Sequence, residues 1–170
     1  VLYAITKNNG LHRSTDQGDT WEKLGAGTLS NWLNHVAVDP FDPNDLTVIT
    51  TNSFWVSLFG TFRSQDGGLT WRRLSPGFSN YFAGSQVVYD LIQPEVMYAP
   101  GNNSLGENGV WRSGDGGSNW EFIPIGTSGW TMEYVIAESK PDYHYAWVDR
   151  DNIYFSSNGG FNWTAASTPA

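Results

Sequence analysis

Two acids, a serine, a glycine and a tryptophan fall within eight residues at Ser14 to Trp21 (STDQGDTW), a density that would suit a metal loop or a catalytic carboxylate. The spelling returns as SQDGGLTW at Ser64 to Trp71 and as SGDGGSNW at Ser113 to Trp120. With Asn158 in place of the acid, it returns again as SSNGGFNW at Ser156 to Trp163. A unique reaction centre does not occur in four copies. Asn158 can accept a hydrogen bond as the acids do, but it cannot act as a carboxylic acid or as a strong cation ligand. The box is therefore read as a turn. Gly18, Gly68, Gly117 and Gly160 take positive φ, and Asp16, Asp66, Asp115 and Asn158 accept bonds from nearby backbone N–H groups. The tryptophan closing each box is expected to fold back between neighbouring sheets, burying roughly 150–250 Å² per ring.

Other chemistry is thinly supplied. A glycosidase needs two carboxyl groups flanking the scissile bond, and the side opposite the boxes offers only Glu107, Asp149, Asp151 and Glu133, so no catalytic residue is assigned. His12, His35 and His144 lack metal-ligand spacing, and Asp39, Asp42 and Asp45 lack the central glycine and terminal glutamate of a calcium loop. These acids read as turn residues, and neither a metal nor a cofactor is expected. The chain has no cysteine, hence no thiol nucleophile, and no G-x-S-x-G elbow or phosphate loop. Arg13, Arg63 and Arg112 each precede a box serine, with Phe155 in the fourth copy. Locked to the repeat on different sheets, they read as structural rather than as a carboxylate clamp.

The elements that position these boxes follow from their period. The four box tryptophans are 50, 49 and 43 residues apart, the interval expected of four-stranded blades repeating around an axis. Between boxes the alternation gives an inner strand (HVAVDP), a second (DLTVIT), a third (GTFRS), the box, and a fourth (TWRRL). Four units follow: a partial one at 1–24, then 34–74, 86–125 and 131–167. Val1 aligns with Val96, so the first unit lacks its inner strand and the count is fifteen. The predicted fold is all-β, about three and three-quarter blades of a β-propeller with no helix. An open first blade and a start without Met are expected of an arc of something larger. The 170 residues carry Gly 19, Trp 9 and 39% hydrophobic residues, in keeping with one such domain spanning 1–170. A net charge of −8 argues against a nucleic-acid partner, and no apolar run approaches the ~18 residues needed to insert in a bilayer.

Ser-x-Asp-x-Gly-x-Thr-Trp in four near copies resembles the Asp box of the bacterial neuraminidase repeat propellers, over essentially the whole chain. Within that superfamily, VAVDPFDPNDLTV followed by GTFRSQDGGLTW is most similar to the xyloglucanase and sortilin-like branch. The Arg-Ile-Pro mark of sialidases and the Gly-Trp-Ala-Val-Gly strand of photosystem assembly factors do not occur. The resemblance implies boxes on the periphery, away from the active face. For xyloglucanases it implies two catalytic aspartates drawn from different propeller domains, and neither motif can be placed here.

Strand alternation puts the Pro- and Asp-rich first-to-second turns on the box side. The longer loops, rich in Gly, Ser, Asn and aromatic residues, fall on the other. Trp32, Phe54, Trp55, Tyr81 and Trp130 in those loops are the candidate ligand-binding residues. Flat rings among amides and hydroxyls suit a neutral polysaccharide. The expected function is a secreted, non-catalytic module binding glycan or protein, with further blades of the same or another chain as neighbours. The alternatives are a piece of a polysaccharide-active glycoside hydrolase and an assembly scaffold.

Overall fold

The computed structural model describes residues 1–6, 8–27, 29, 31–50, 60–74, 86–128, 131–148 and 152–166. Every regular element among them is a strand, and they form two compact units, Val1–Leu74 and Ser75–Ala170.

The first unit holds two antiparallel sheets. One runs in the order β1 (Leu2–Thr6), β2 (Gly10–Ser14), β3 (Glu22–Leu24). The other runs β4 (Leu33–Val38), β5 (Leu46–Thr50), β6 (Gly60–Ser64), β7 (Arg72–Arg73). Registers show how they correspond: Leu2 pairs with Ser14 and Thr6 with Gly10 in the first, Leu46 with Ser64 and Thr50 with Gly60 in the second. β1 therefore holds a second-strand position, and the first sheet has three strands, as the spacing predicts. β5, with the sequence LTVIT, is buried along its length, as a β-branched central strand should be. Leu11, Leu24, Leu46, Val48 and Phe62 form a core between the sheets with no polar atom in its side chains, and Tyr3, Ile5 and Trp71 pack on it. Two polar straps cross the same gap. Arg13 donates Nη1–H to the Gly67 carbonyl at 2.9 Å, and the Tyr3 hydroxyl donates to the Pro43 carbonyl at 3.0 Å.

The second unit repeats the plan with two four-stranded sheets. β8 (Val88–Tyr89), β9 (Met97–Asn102), β10 (Glu107–Ser113) and β11 (Glu121–Ser128) form one; β12 (Thr131–Ile136), β13 (His144–Val148), β14 (Asn152–Ser156) and β15 (Thr164–Ala165) form the other. The inner strand β8 is shorter than the QVVYDLI run suggests, and it ends at Asp90, whose carboxylate takes the Ile92 and Gln93 N–H groups. Here Val96, Val110, Ile125, Ile136 and Val148 share the gap with a group of aromatic rings. Tyr98 and Tyr134 stack with centroids 5.3 Å apart, and His144 meets both edge-on. His144 is wholly buried, and its Nε2 lies 2.9 Å from the Pro141 carbonyl, which can only accept. The proton therefore sits on Nε2, leaving Nδ1 to accept the Tyr134 hydroxyl at 2.5 Å. Burial holds the His144 pKa below its ordinary value and pushes Tyr98 up to about 12, where the neighbouring Asp90 adds to the shift.

All four boxes fold alike. The serine hydroxyl accepts the box glycine N–H at 2.8 Å in Ser14, Ser64 and Ser113 and at 2.9 Å in Ser156. The acid then accepts the N–H four residues on: Thr20 to Asp16 at 2.9 Å, Thr70 to Asp66 at 2.8 Å, Asn119 to Asp115 at 2.8 Å. Asn158 does the same for Asn162 at 3.0 Å, so the amide preserves the turn. Two successive residues take positive φ in every box, and in the first copy one of them is Gln17 at 64°. Each later box is pinned to the neighbouring first-to-second turn: Gly67 N–H to Asn44 O at 2.8 Å, Gly116 to Glu95 and Gly159 to Asp142 at 2.9 Å. Both sets of turns therefore share one side of each sheet.

Two expectations need correction. Trp21 is 43% exposed, not buried between sheets. Its indole N–H is satisfied by the Gly18 carbonyl of its own turn at 3.0 Å, so the ring can lie along the box without a neighbour. Trp71 and Trp163 have a second sheet to press on and are half-buried. Asp45 is also more than a turn acid. Asp39 and Asp42 do staple their turn, accepting Phe41 N–H at 2.7 Å and Asn44 N–H at 2.8 Å. Asp45, however, pairs with Arg63 while both are buried. The cause lies in the register. Arg13 and Arg112 face Glu22 and Glu121 across the ladder and pair with them, whereas Arg63 faces Arg72.

Candidate functional site

The boxes are closed local structures. The Thr70 hydroxyl and N–H hold Asp66 down to about 2, and the Asn119 N–H and amide do the same for Asp115. Asp16 is held lower still, by the Thr20 hydroxyl first. A carboxylate so saturated with donors is a poor general acid or base near neutral pH. Chemistry must be sought at the opposite ends of the sheets.

In the first unit those ends bring together a cluster that the sequence does not advertise. Lys23, on β3, donates Nζ to the Asn31 side-chain oxygen at 3.0 Å and to that of Asn9, in the β1–β2 turn, at 3.2 Å. The Asn9 amide lies 3.3 Å from His12 Nε2. The chain turns here through Asn8 at φ 68° and Gly10 at φ 85°, the left-handed values that an Asn-Asn-Gly sequence tolerates. Trp32 follows Asn31 and is 42% exposed. An exposed indole next in sequence to one of these amides can take an apolar sugar face, while amides and an ammonium can bond a hydroxyl rim. Lys23 carries no periodic signal, so only the folded hairpin reveals its link to Asn9.

The remaining candidates separate. Phe54, Trp55, Tyr81 and Trp130, with Asp149 and Asp151, lie outside the described residues. Glu107 is at the β9–β10 turn, where its carboxylate takes the Asn103 side-chain amide at 2.5 Å and its N–H bonds the Asn103 oxygen at 3.0 Å. It is thus tied into its own hairpin. Glu133 is exposed on β12 opposite Trp147. No group of three or more His, Asp or Glu side chains converges for a metal among the described residues.

No family model matches the chain. Among curated proteins it is similar to a probable oligoxyloglucan-reducing end-specific xyloglucanase of Neosartorya fischeri, 25% identical over 98% of this chain and 21% of that protein. It is also similar to a xyloglucanase of Hypocrea jecorina, 30% identical over 97% of this chain and 24% of that one. Among solved structures, an ancestral GH74 enzyme superposes with a TM-score of 0.76 at 23% identity, over 99% of this chain and 22% of the enzyme. YCF48 bound to a D1 peptide gives 0.61 at 15% identity, over 99% of this chain and 50% of that one. The chain spans about a fifth to a quarter of the length of these curated relatives. Its fold is that of β-propeller blades, like those in the GH74 structures it superposes on.

Proposed function

We propose that these blades belong to a xyloglucanase-like, polysaccharide-active propeller and that their loop side contacts the glycan chain. The observation that carries the proposal is the exposed Trp32 beside the Lys23, Asn9 and Asn31 cluster, on the side away from the boxes. The likeness to proteins named xyloglucanase supplies the substrate class, a neutral β-glucan with side chains. Phe54, Trp55, Tyr81 and Trp130 are the further candidate contacts in this proposal. The four boxes are then Asp boxes in the sense of the neuraminidase repeat, a view supported by their shared serine bonding and by the side-chain oxygen of Asp16, Asp66, Asp115 or Asn158 that takes the N–H four residues on. A polymeric wall glycan is met outside the cell, so the proposal carries an extracytoplasmic location. Glu107 has its hydrogen bonds within its own hairpin, and no residue here is assigned a catalytic role. A protein-docking role is the second reading, favoured by YCF48 with its bound D1 peptide among the fold neighbours.

Calorimetry with xyloglucan oligosaccharides tests the first reading. Binding should weaken about tenfold, ~1.4 kcal/mol, in Trp32→Ala, and similarly in a Trp55→Ala, Trp130→Ala pair. Absence of binding by the unaltered chain, or binding indifferent to all three substitutions, would reject it.

A further inference from the structure

Asparagine followed by glycine occurs three times, at Asn9 and Gly10, at Asn108 and Gly109, and at Asn158 and Gly159. In such a pair the backbone nitrogen of the glycine can close a five-membered ring on the asparagine Cγ, because the attack is intramolecular and no Cβ shields the nitrogen. The fold treats the three pairs differently.

Two of them are locked. Asn108 is buried within β10, where it pairs with Asn102, while Gly109 pairs with Gly101 on one side and Pro124 on the other. A Cβ at Gly109 would stand 2.3 Å from the Ile123 carbonyl oxygen, so this stretch of ladder has no room for the backbone rotation that ring closure needs. Asn158 has its oxygen committed to the Ser156 hydroxyl at 2.8 Å and to the Asn162 N–H at 3.0 Å. The Gly159 nitrogen donates to the Asp142 carbonyl at 2.9 Å. Reaction there would dismantle the box.

Asn9 is held in the opposite sense. It lies in the β1–β2 turn, and Gly10 forms the last rung of that ladder, opposite Thr6. Lys23 Nζ, which can only donate, lies 3.2 Å from Asn9 Oδ1, so the amide nitrogen faces His12 Nε2, at 3.3 Å. The ammonium therefore sits where negative charge develops when Cγ is attacked, and the imidazole keeps the amide in that orientation. Asn31 receives the same ammonium at 3.0 Å, but it is followed by Trp32, whose side chain hinders the approach.

We propose that Asn9 is a self-modifying residue, which deamidates in the folded chain with the Lys23 ammonium stabilising the oxyanion. The Gly10 nitrogen bonds to Asn9 Cγ and gives up its proton to solvent, and charge builds on Oδ1 against Lys23 Nζ. The Cγ–Nδ2 bond then breaks, and ammonia leaves with a proton returned by solvent. Water opens the resulting succinimide at either carbonyl, leaving aspartate or isoaspartate at position 9. The new carboxylate cancels the positive charge of Lys23, so the cluster changes from cationic to neutral. The inference does not rest on the glycan reading.

Peptide mapping by mass spectrometry after incubation of the full chain in mildly alkaline buffer, with and without urea, provides the test. The readout at each pair is the mass gained when NH₂ is replaced by OH. In the folded chain Asn9 should convert at least about tenfold faster than Asn108 and Asn158; in urea the three rates should agree within about threefold, with Asn9 slower than in the fold. Lys23→Met should slow Asn9 about tenfold in the folded chain, and Lys23→Arg, which keeps a cation, should restore most of the rate. Circular dichroism checks that both variants are folded, and if Lys23→Met is not, the comparison with and without urea decides alone. Equal rates at the three pairs in the folded chain, an Asn9 rate that does not fall in urea, or a folded Lys23→Met with the unaltered rate would each overturn the proposal.

Discussion

The two described units solve one packing problem with different materials. Between β1–β3 and β4–β7 the filling is Leu11, Leu24, Leu46, Val48 and Phe62, and between β8–β11 and β12–β15 it is centred on Tyr98, Tyr134 and His144. An apolar core needs only volume. The core around Tyr98, Tyr134 and His144 must also satisfy two hydroxyls and two ring nitrogens, and does so through Asp90, Pro141 and the Tyr134–His144 bond. A repeat fixes where sheets meet but leaves open what fills the space. The same freedom shows in the arginines. Arg112 keeps an exposed cross-strand glutamate, whereas Arg63 has drawn Asp45 into a buried pair.

The largest contrast should come from those pairs. Asp45→Ala strands a buried guanidinium and should lower stability by about 3–5 kcal/mol. Glu121→Ala removes a partner whose side chain is 59% exposed and should cost under about 1 kcal/mol. Urea titrations of both variants measure the difference, and equal losses would erase the contrast.

The box glycines come next. A methyl group at Gly160, φ +83°, would sit 2.9 Å from His144 Nδ1 and 3.0 Å from the Tyr134 hydroxyl; at Gly18, φ +102°, the nearest atom is at 3.7 Å. Gly18→Ala should cost only the left-handed backbone penalty of about 1–2 kcal/mol, and Gly160→Ala about 2–4 kcal/mol because overpacking is added.

The aromatic core should also give the second unit its own acid sensitivity. Burial depresses the His144 pKa, so its stabilising neutral form is fully present above the unfolded value of about 6.5 and is lost as pH falls below it. Hydrogen exchange, corrected for intrinsic rates, should show β13 losing protection between pH 7 and pH 5 while β5 keeps its own. Tyr134→Phe, which leaves Nδ1 without its donor, should lower protection at pH 7 by about 1–2 kcal/mol. Asp66 and Asp115 act later: held near 2, their contribution persists above about pH 4 and fades as pH falls through 2. The smallest effect belongs to Asp66→Asn. The fourth box already works with Asn158, so the Tm should drop by no more than about 3 °C by scanning calorimetry.

The box was legible because its partners lie within seven positions of one another. Ser64, Asp66, Gly68 and Thr70 meet whatever surrounds them, and so do their counterparts around Asn158. The candidate site was legible only in part. Trp32 stood out as an aromatic residue in a polar loop, but Lys23 and Asn9 are fourteen residues apart and meet only once the β1–β2–β3 ladder has formed. Asp45 looked like its turn neighbours Asp39 and Asp42 because spacing does not reveal that Arg72 occupies the place of a glutamate across from Arg63. Trp21 shared its spelling with Trp71, and nothing local distinguishes a ring with a sheet to press on from one without.

The sequence by itself determined the turn, its period and the fifteen strands of the described residues, three of them in the first sheet. Each depends on backbone angles and hydrogen bonds between near neighbours, which residue type controls directly. Only the tertiary structure decided which core is apolar throughout and which is hydrogen-bonded, and which acid answers each arginine. Those outcomes depend on side chains delivered from different strands, where register and burial rather than local preference set the energy.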